Sequence, residues 1–193
     1  MLKVETGYQT GTAPNITRTT VSVVDTLYTP CGCSPLGKTW KVSLPHAPGG
    51  TVYWSEYVYD ALGRTIQVKQ PNNSGTATYS YAGNTVTSTD AANKWKKFEN
   101  DALGNLTKVT EPNPAGGANL ETTYTYSELA QLLTVSMPRG GVTQTRTFVY
   151  NSTTQRLTST TNPENGTTTN YYNADGTLSY KIDAKGQKIS YEL

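Results

Sequence analysis

Tyr57-Val58-Tyr59-Asp60-Ala61-Leu62-Gly63-Arg64 is the stretch on which the fold turns, because the chain repeats it. Phe98-Glu99-Asn100-Asp101-Ala102-Leu103-Gly104-Asn105 has the same frame. A proline follows each Asp by eleven residues, at Pro71 and Pro112. The frame returns at Ser34-Pro35-Leu36-Gly37-Lys38 with Pro45, and at Ser127-Glu128-Leu129-Ala130-Gln131 with Pro138. Weaker copies stand at Asn151-Ser152-Thr153-Thr154 and Asn173-Ala174-Asp175-Gly176, and a degenerate one at Tyr79-Ser80-Tyr81-Ala82-Gly83-Asn84. The unit starts are therefore 34, 60, 82, 101, 127, 151 and 173, in steps of 19 to 26 residues. Repetition on this scale means that each unit is one supersecondary element that needs its neighbours.

Each unit carries two turn signals. In D-x-x-G, or its Ser and Asn variants, the first side chain accepts from the backbone two residues on, and Gly supplies the positive φ that closes the turn. The second turn is richer in Pro and Gly, as in Pro71-Asn72-Asn73-Ser74-Gly75, Pro138-Arg139-Gly140-Gly141 and Pro163-Glu164-Asn165-Gly166. Between the turns, apolar and polar residues alternate. Trp40, Val42 and Leu44 alternate with Thr39, Lys41 and Ser43, and Leu133, Val135 and Met137 with Thr134 and Ser136. That is the two-residue period of a strand. Leu106 and Leu178 fall five residues after their unit starts, whereas Ile66 and Val68 fall six and eight after theirs, so β-bulges are expected there.

Composition agrees. Thr is the commonest of the 193 residues at 34, and Tyr outnumbers Phe 14 to 2. Both suit a half-buried pleated surface. The expected fold is all-β: tandem antiparallel hairpins forming one curved continuous sheet, with a β-propeller as the alternative. Residues 1–33 read as a lead-in strand and loop, and 34–193 as about seven degenerate repeats of roughly 22 residues. A net charge of +2 makes no case for nucleic acid. No apolar run approaches the ~18 residues of a membrane helix, and Met1-Leu2-Lys3-Val4-Glu5 lacks the apolar core of a signal peptide.

The Tyr-Asp frame with its D-A-L-G turn resembles the YD repeat, also called the RHS repeat. Thr161-Asn162-Pro163-Glu164-Asn165-Gly166 followed by Tyr171-Tyr172-Asn173 is similar to the second half of that unit. The resemblance covers roughly 34–193. It implies a spiralling β-shell of a secreted or cell-surface protein, of the kind that encloses a C-terminal toxin domain. Its partners would be neighbouring YD repeats and such a cargo domain. Family members have also been linked to carbohydrate. Tyr191-Glu192-Leu193 stands where another unit would begin, so a segment of a longer wall is expected, with open sheet edges that favour self-association.

No residue pattern argues for catalysis, a cofactor or a metal. Gly37, Asp60, Gly63, Arg64, Asp101, Gly104, Asn173, Gly176, Asp183 and Gly186 are expected to build repeat turns, and Asp90 reads as another turn carboxylate. Cys31 and Cys33 read as small buried thiols, with too few partners for a zinc cage. His46, the single histidine, reads as an exposed turn residue in Leu44-Pro45-His46-Ala47-Pro48-Gly49-Gly50. Trp95, Lys96 and Lys97 form the densest basic and aromatic stretch and are the candidate contact for a sugar or polyanion. The leading expectation is a non-catalytic wall segment; the alternative is a carbohydrate-binding or adhesive module using exposed aromatics. Buried Tyr124, Tyr126 and Trp95 would favour the wall.

Overall fold

The computed structural model describes residues 1–11, 16–31 and 34–191, with the backbone course alone for Cys31 and residues 34–36. Sixteen strands form one sheet and pair strictly in sequence order. They are β1 (Leu2–Thr10), β2 (Thr17–Cys31), β3 (Ser34–Ser43), β4 (Trp54–Tyr59), β5 (Thr65–Lys69), β6 (Thr76–Ala82), β7 (Thr85–Thr89) and β8 (Trp95–Asn100). Then follow β9 (Leu106–Glu111), β10 (Leu120–Tyr126), β11 (Leu132–Arg139), β12 (Val142–Tyr150), β13 (Leu157–Asn162), β14 (Gly166–Tyr172), β15 (Leu178–Ile182) and β16 (Lys188–Ser190). The only helix described is a 3-10 turn at Pro71–Asn73. A β-propeller is excluded, because its blades would be separate sheets and here every strand bonds to the next along the chain. No helix among the described residues is long and apolar enough to cross a membrane. The chain falls into two units, 1–81 with 86–95 and 82–85 with 96–193.

In the first unit, β1 to β5 are successive antiparallel partners. β1 has no repeat signature, yet it pairs along its length with β2, bulging between Thr6 and Gly7. The ten-residue connection from β3 to β4 folds back over β2. Its one isolated bridge joins His46 to Val23, with Val23 N–H donating to His46 O at 2.8 Å and His46 N–H to Val23 O at 3.0 Å.

In the second unit the register sorts residues onto two faces. One face carries Phe98, Val109 and Thr122 in line, then Tyr124 opposite Val135. The other carries a row of five directly opposed threonines across five strands: Thr125, Thr134, Thr147, Thr161 and Thr167. Thr125 and Thr134 share a hydroxyl–hydroxyl bond of 2.7 Å, and Thr161 and Thr167 one of 2.8 Å. Cross-strand pairs of this kind are the unit of sheet stabilisation. The row holds five of the 34 threonines.

A bulge stands at the same place in hairpin after hairpin. Register shifts occur between Leu27 and Tyr28, Val58 and Tyr59, Glu99 and Asn100, Thr125 and Tyr126, Val149 and Tyr150, and Tyr171 and Tyr172. The extra residues on the opposite strands are Trp40, Ile66, Thr107, Leu133, Thr158 and Ser179. The uneven spacing of Ile66, Leu106 and Leu178 thus reflects a constant feature of the repeat rather than local exceptions.

The core is almost absent. Among the described residues, Val23 at 1% exposure is the sole buried apolar side chain, and the other buried residues, Asp25, Ser43, Thr110 and Thr122, are polar. A single-layer sheet has no second layer to pack against. Its order must come from contacts between successive strands.

Candidate functional site

The recurring site is the junction between one hairpin and the next. It begins with the turn. Asp60 Oδ1 accepts from Leu62 N–H at 3.0 Å and Arg64 N–H at 2.9 Å, while the Asp60 N–H donates to Arg64 O and the Gly63 N–H to Asp60 O. Asp101 does the same with Leu103 at 2.9 Å and Asn105 at 2.8 Å, Asp90 with Ala92 and Lys94, and Asp183 with Lys185 and Gln187. Ser127 and Asn151 supply the same acceptor without a charge. At Asn173 the task shifts two residues, because Asp175 Oδ1 accepts from Thr177 N–H at 2.9 Å. The residue that closes the turn takes a positive φ, whether Gly63 at 75° or Ala130 at 58°. Ala130 therefore adopts the glycine conformation without being glycine, which the sequence could not show. Gly104, Gly176 and Gly186 also have positive φ at their turns, whereas Gly37, expected in a turn, has φ 76° inside β3, where its missing side chain lets the Thr29 carbonyl of β2 approach.

These acceptor bonds hold the carboxyls below their ordinary range. For Asp60 the main cause is the Arg64 backbone N–H, for Asp101 the Asn105 side-chain amide, and for Asp175 the Thr177 backbone N–H. Carboxylates occupied in this way are turn builders, not proton donors.

The second component, in four hairpins, is a tyrosine at or next to the end of the incoming strand. Tyr59 donates its hydroxyl to Thr39 O at 2.6 Å, Tyr81 to Thr65 O at 2.8 Å, Tyr126 to Leu106 O at 2.9 Å and Tyr172 to Leu157 O at 2.8 Å. Thr65, Leu106 and Leu157 each open the return strand of the previous hairpin, whereas Thr39 lies within β3. Burial pushes the Tyr59 and Tyr126 hydroxyls up in pKa, so they stay neutral donors.

The third component is a cation from the previous hairpin, lying over the same ring. Lys38 Nζ is 5.4 Å from the Tyr59 centroid, the Arg64 guanidinium 4.3 Å from that of Tyr81, and the Arg156 guanidinium 5.7 Å from that of Tyr172. Arg64 also grips Asp60, with Nε at 2.7 Å from Oδ2. Turn, cation and carbonyl of one hairpin thus meet the tyrosine of the next. Asn100 stands where this tyrosine would be, and the Asn84 side chain donates to its carbonyl at 2.5 Å instead. A continuous ladder of stacked rings does not form; among the described residues the one stacked pair is Tyr171 with Tyr180, at 4.4 Å.

Tyr124, Tyr126 and Trp95 are half-buried. Lys96 bonds Glu111 of β9 at 2.9 Å, and Lys97 bonds Glu99 of its own strand at 3.2 Å, so both lysines are paired with acids. The Lys97 bond, foremost, holds the Glu99 carboxyl below its ordinary range. Cys33 and the side chain of Cys31 lie outside the described residues. His46 departs from the reading as an exposed turn residue. Its ring Nε2 is 3.2 Å from Asp25 Oδ2, and the two side chains are only 10% and 9% exposed. Sequence reasoning missed Asp25 entirely, because its partner is 21 residues away and faces it only once β2 and the returning loop are in place.

No family model matches the chain, and no curated protein matches it. Solved structures do. The crystal structure of TcdB2-TccC3-Cdc42 matches with a TM-score of 0.60 at 15% identity, over 94% of this chain and 12% of that one. The Photorhabdus luminescens Tc holotoxin pore matches 86% of this chain and 12% of its own, at 14% identity and a TM-score of 0.35. This chain therefore spans about an eighth of the length of the structures it resembles. At such identity the first likeness speaks for the fold alone.

Proposed function

We propose that this chain is a wall segment of a YD-repeat protein of the secreted or cell-surface kind that encloses a C-terminal toxin domain, and that it performs no reaction of its own. The observation that carries this reading is the tyrosine junction. Side chains with chemistry to offer are spent on joining one hairpin to the next. The carboxylates cap turns, the tyrosine hydroxyls bind main-chain carbonyls, and most of the lysines and arginines lie against rings or acids. A sheet ordered by neighbour contacts can extend to any length, which is what enclosure requires. The fold likeness to a chain about eight times longer supports the same reading.

Lys96 and Lys97, already paired with acids, favour wall over sugar-binding module, while Tyr124, Tyr126 and Trp95, half-buried rather than buried, favour neither. The test uses the natural full-length protein. Segments downstream of this chain should resist added protease, and should become cleavable when Tyr59, Tyr81 and Tyr126 are replaced together by leucine. Equal cleavage of the downstream segments in the natural protein and the variant would refute the proposal.

A further inference from the structure

The His46–Asp25 pair belongs to no repeat junction, and with a neutral imidazole its hydrogen bonding does not close. His46 Nδ1 lies 3.0 Å from Ala47 O. A carbonyl can only accept, so Nδ1 carries the proton of the neutral ring, and Nε2 presents a lone pair. That lone pair faces Asp25 Oδ2, itself an acceptor, at 3.2 Å. Asp25 Oδ1 is buried and has no partner among the described residues. The Asp25 N–H is held by Ser43 Oγ at 2.9 Å and the His46 backbone by its bridge to Val23, so neither residue can easily turn away. Nε2 and Oδ2 thus face each other with Oδ1 unpartnered on the same carboxylate, and both residues line a cavity of about 330 Å³ with Val23, Gly49, Gly50 and Lys3 among others.

From this we infer that Asp25 and His46 form a binding site for a divalent transition-metal ion of the zinc or nickel type. Imidazole with carboxylate is a donor set that such ions take. Ligands about 2.1 Å from a metal stand roughly 3.4 Å apart in a tetrahedron and roughly 3.0 Å apart in an octahedron, and the observed 3.2 Å lies between. Metal-bound histidines commonly donate the other ring N–H to a carbonyl, as Nδ1 does toward Ala47 O. With two protein ligands the remaining positions belong to water in the cavity, so the ion exchanges readily. The cation already nearby is Lys3, opposite Asp25 in the register, and its ammonium is engaged by Glu5 at 2.7 Å. The rival occupant of the gap is a proton, which would make an ordinary imidazolium–carboxylate pair.

The experiment uses the chain with Cys31→Ser and Cys33→Ser, which removes competing thiolates. Zinc chloride and nickel chloride are titrated while the ring signals of the only histidine are followed by NMR. The expected result is saturable one-to-one uptake with zinc shifting, and nickel broadening, the His46 ring resonances. Asp25→Asn or His46→Gln should weaken uptake about tenfold or more. His46 signals indifferent to both metals, or uptake unchanged in folded variants, would overturn the inference and leave the proton in the gap. The NMR readout needs no variant at Asp25 or His46, so a folding failure there leaves the test intact.

Discussion

Replacing Tyr81 by Phe removes one oxygen atom and leaves the ring in place. The hydroxyl lies 2.8 Å from Thr65 O, joining β6 to the opening residue of β5, while Arg64 lies 4.3 Å over the ring face. A net hydrogen bond of this kind is worth about 1 kcal/mol. That is roughly a fivefold change in the folded-to-unfolded ratio. The bond and the cation act on different parts of the ring, so Tyr81→Phe and Arg64→Met should add, with coupling under about 0.3 kcal/mol. Tyr81→Leu removes the ring as well, and should couple to Arg64→Met by about 0.5–1 kcal/mol. Urea denaturation measures each corner of the cycle, and the slope with urea should stay constant if the folded surface is unchanged. Hydrogen exchange at the β5 and β6 amides localises the loss. A Tyr81→Phe variant as stable as the parent would refute the claim that the hydroxyl joins the hairpins, and with it the explanation of why tyrosine so outnumbers phenylalanine here.

Glycine substitutions should separate two costs. Gly176→Ala pays for its φ of +94° and drives a methyl group into the Arg156 guanidinium, whereas Gly104→Ala at +87° meets open space. Gly104→Ala should cost about 1 kcal/mol and Gly176→Ala only about 0.5 kcal/mol more, because the flexible end of Arg156 can shift off Tyr172, with Arg156→Ala removing that difference in thermal melts. The pH response follows from the depressed carboxyls of Asp60, Asp101 and Asp175. Their contribution is fully present above the unfolded value of about 3.9 and is lost as pH falls through the lower folded values. The urea midpoint should therefore drop below about pH 4, and a drop beginning near neutrality would count against these turns as its source. Leu103 is 77% exposed at a turn tip, so Leu103→Ser should change stability by no more than about 0.5 kcal/mol in the same assay.

The turns and the strand order were legible because they are written in side chains at fixed offsets, Asp60 to Gly63 and Asp101 to Gly104. The bulge was legible only in part. Its offset showed at Ile66 and Leu178, but the extra residue varies from Trp40 to Ser179. The constant mark is a tyrosine on the opposite strand, as at Tyr28, Tyr59, Tyr126, Tyr150 and Tyr172, which spacing along one strand does not reveal. The tyrosine bonds left no trace beyond the ratio of Tyr to Phe, since Thr39, Thr65, Leu106 and Leu157 accept through the main chain. Leu2 to Thr10 gave no strand signal because all nine residues are exposed, and pairing with β2 alone organises them. The Asp25–His46 pair was illegible for a different reason: it depends on a loop folding back across a strand, which no repeat spacing encodes.

Four hairpins hold a hydroxyl that reaches backward, and its target is a main-chain carbonyl, which every hairpin carries. A tandem duplication or deletion of one whole unit in the gene would leave every surviving donor facing a compatible acceptor. Lineages carrying this architecture should therefore differ in copy number far more freely than in the composition of a single copy.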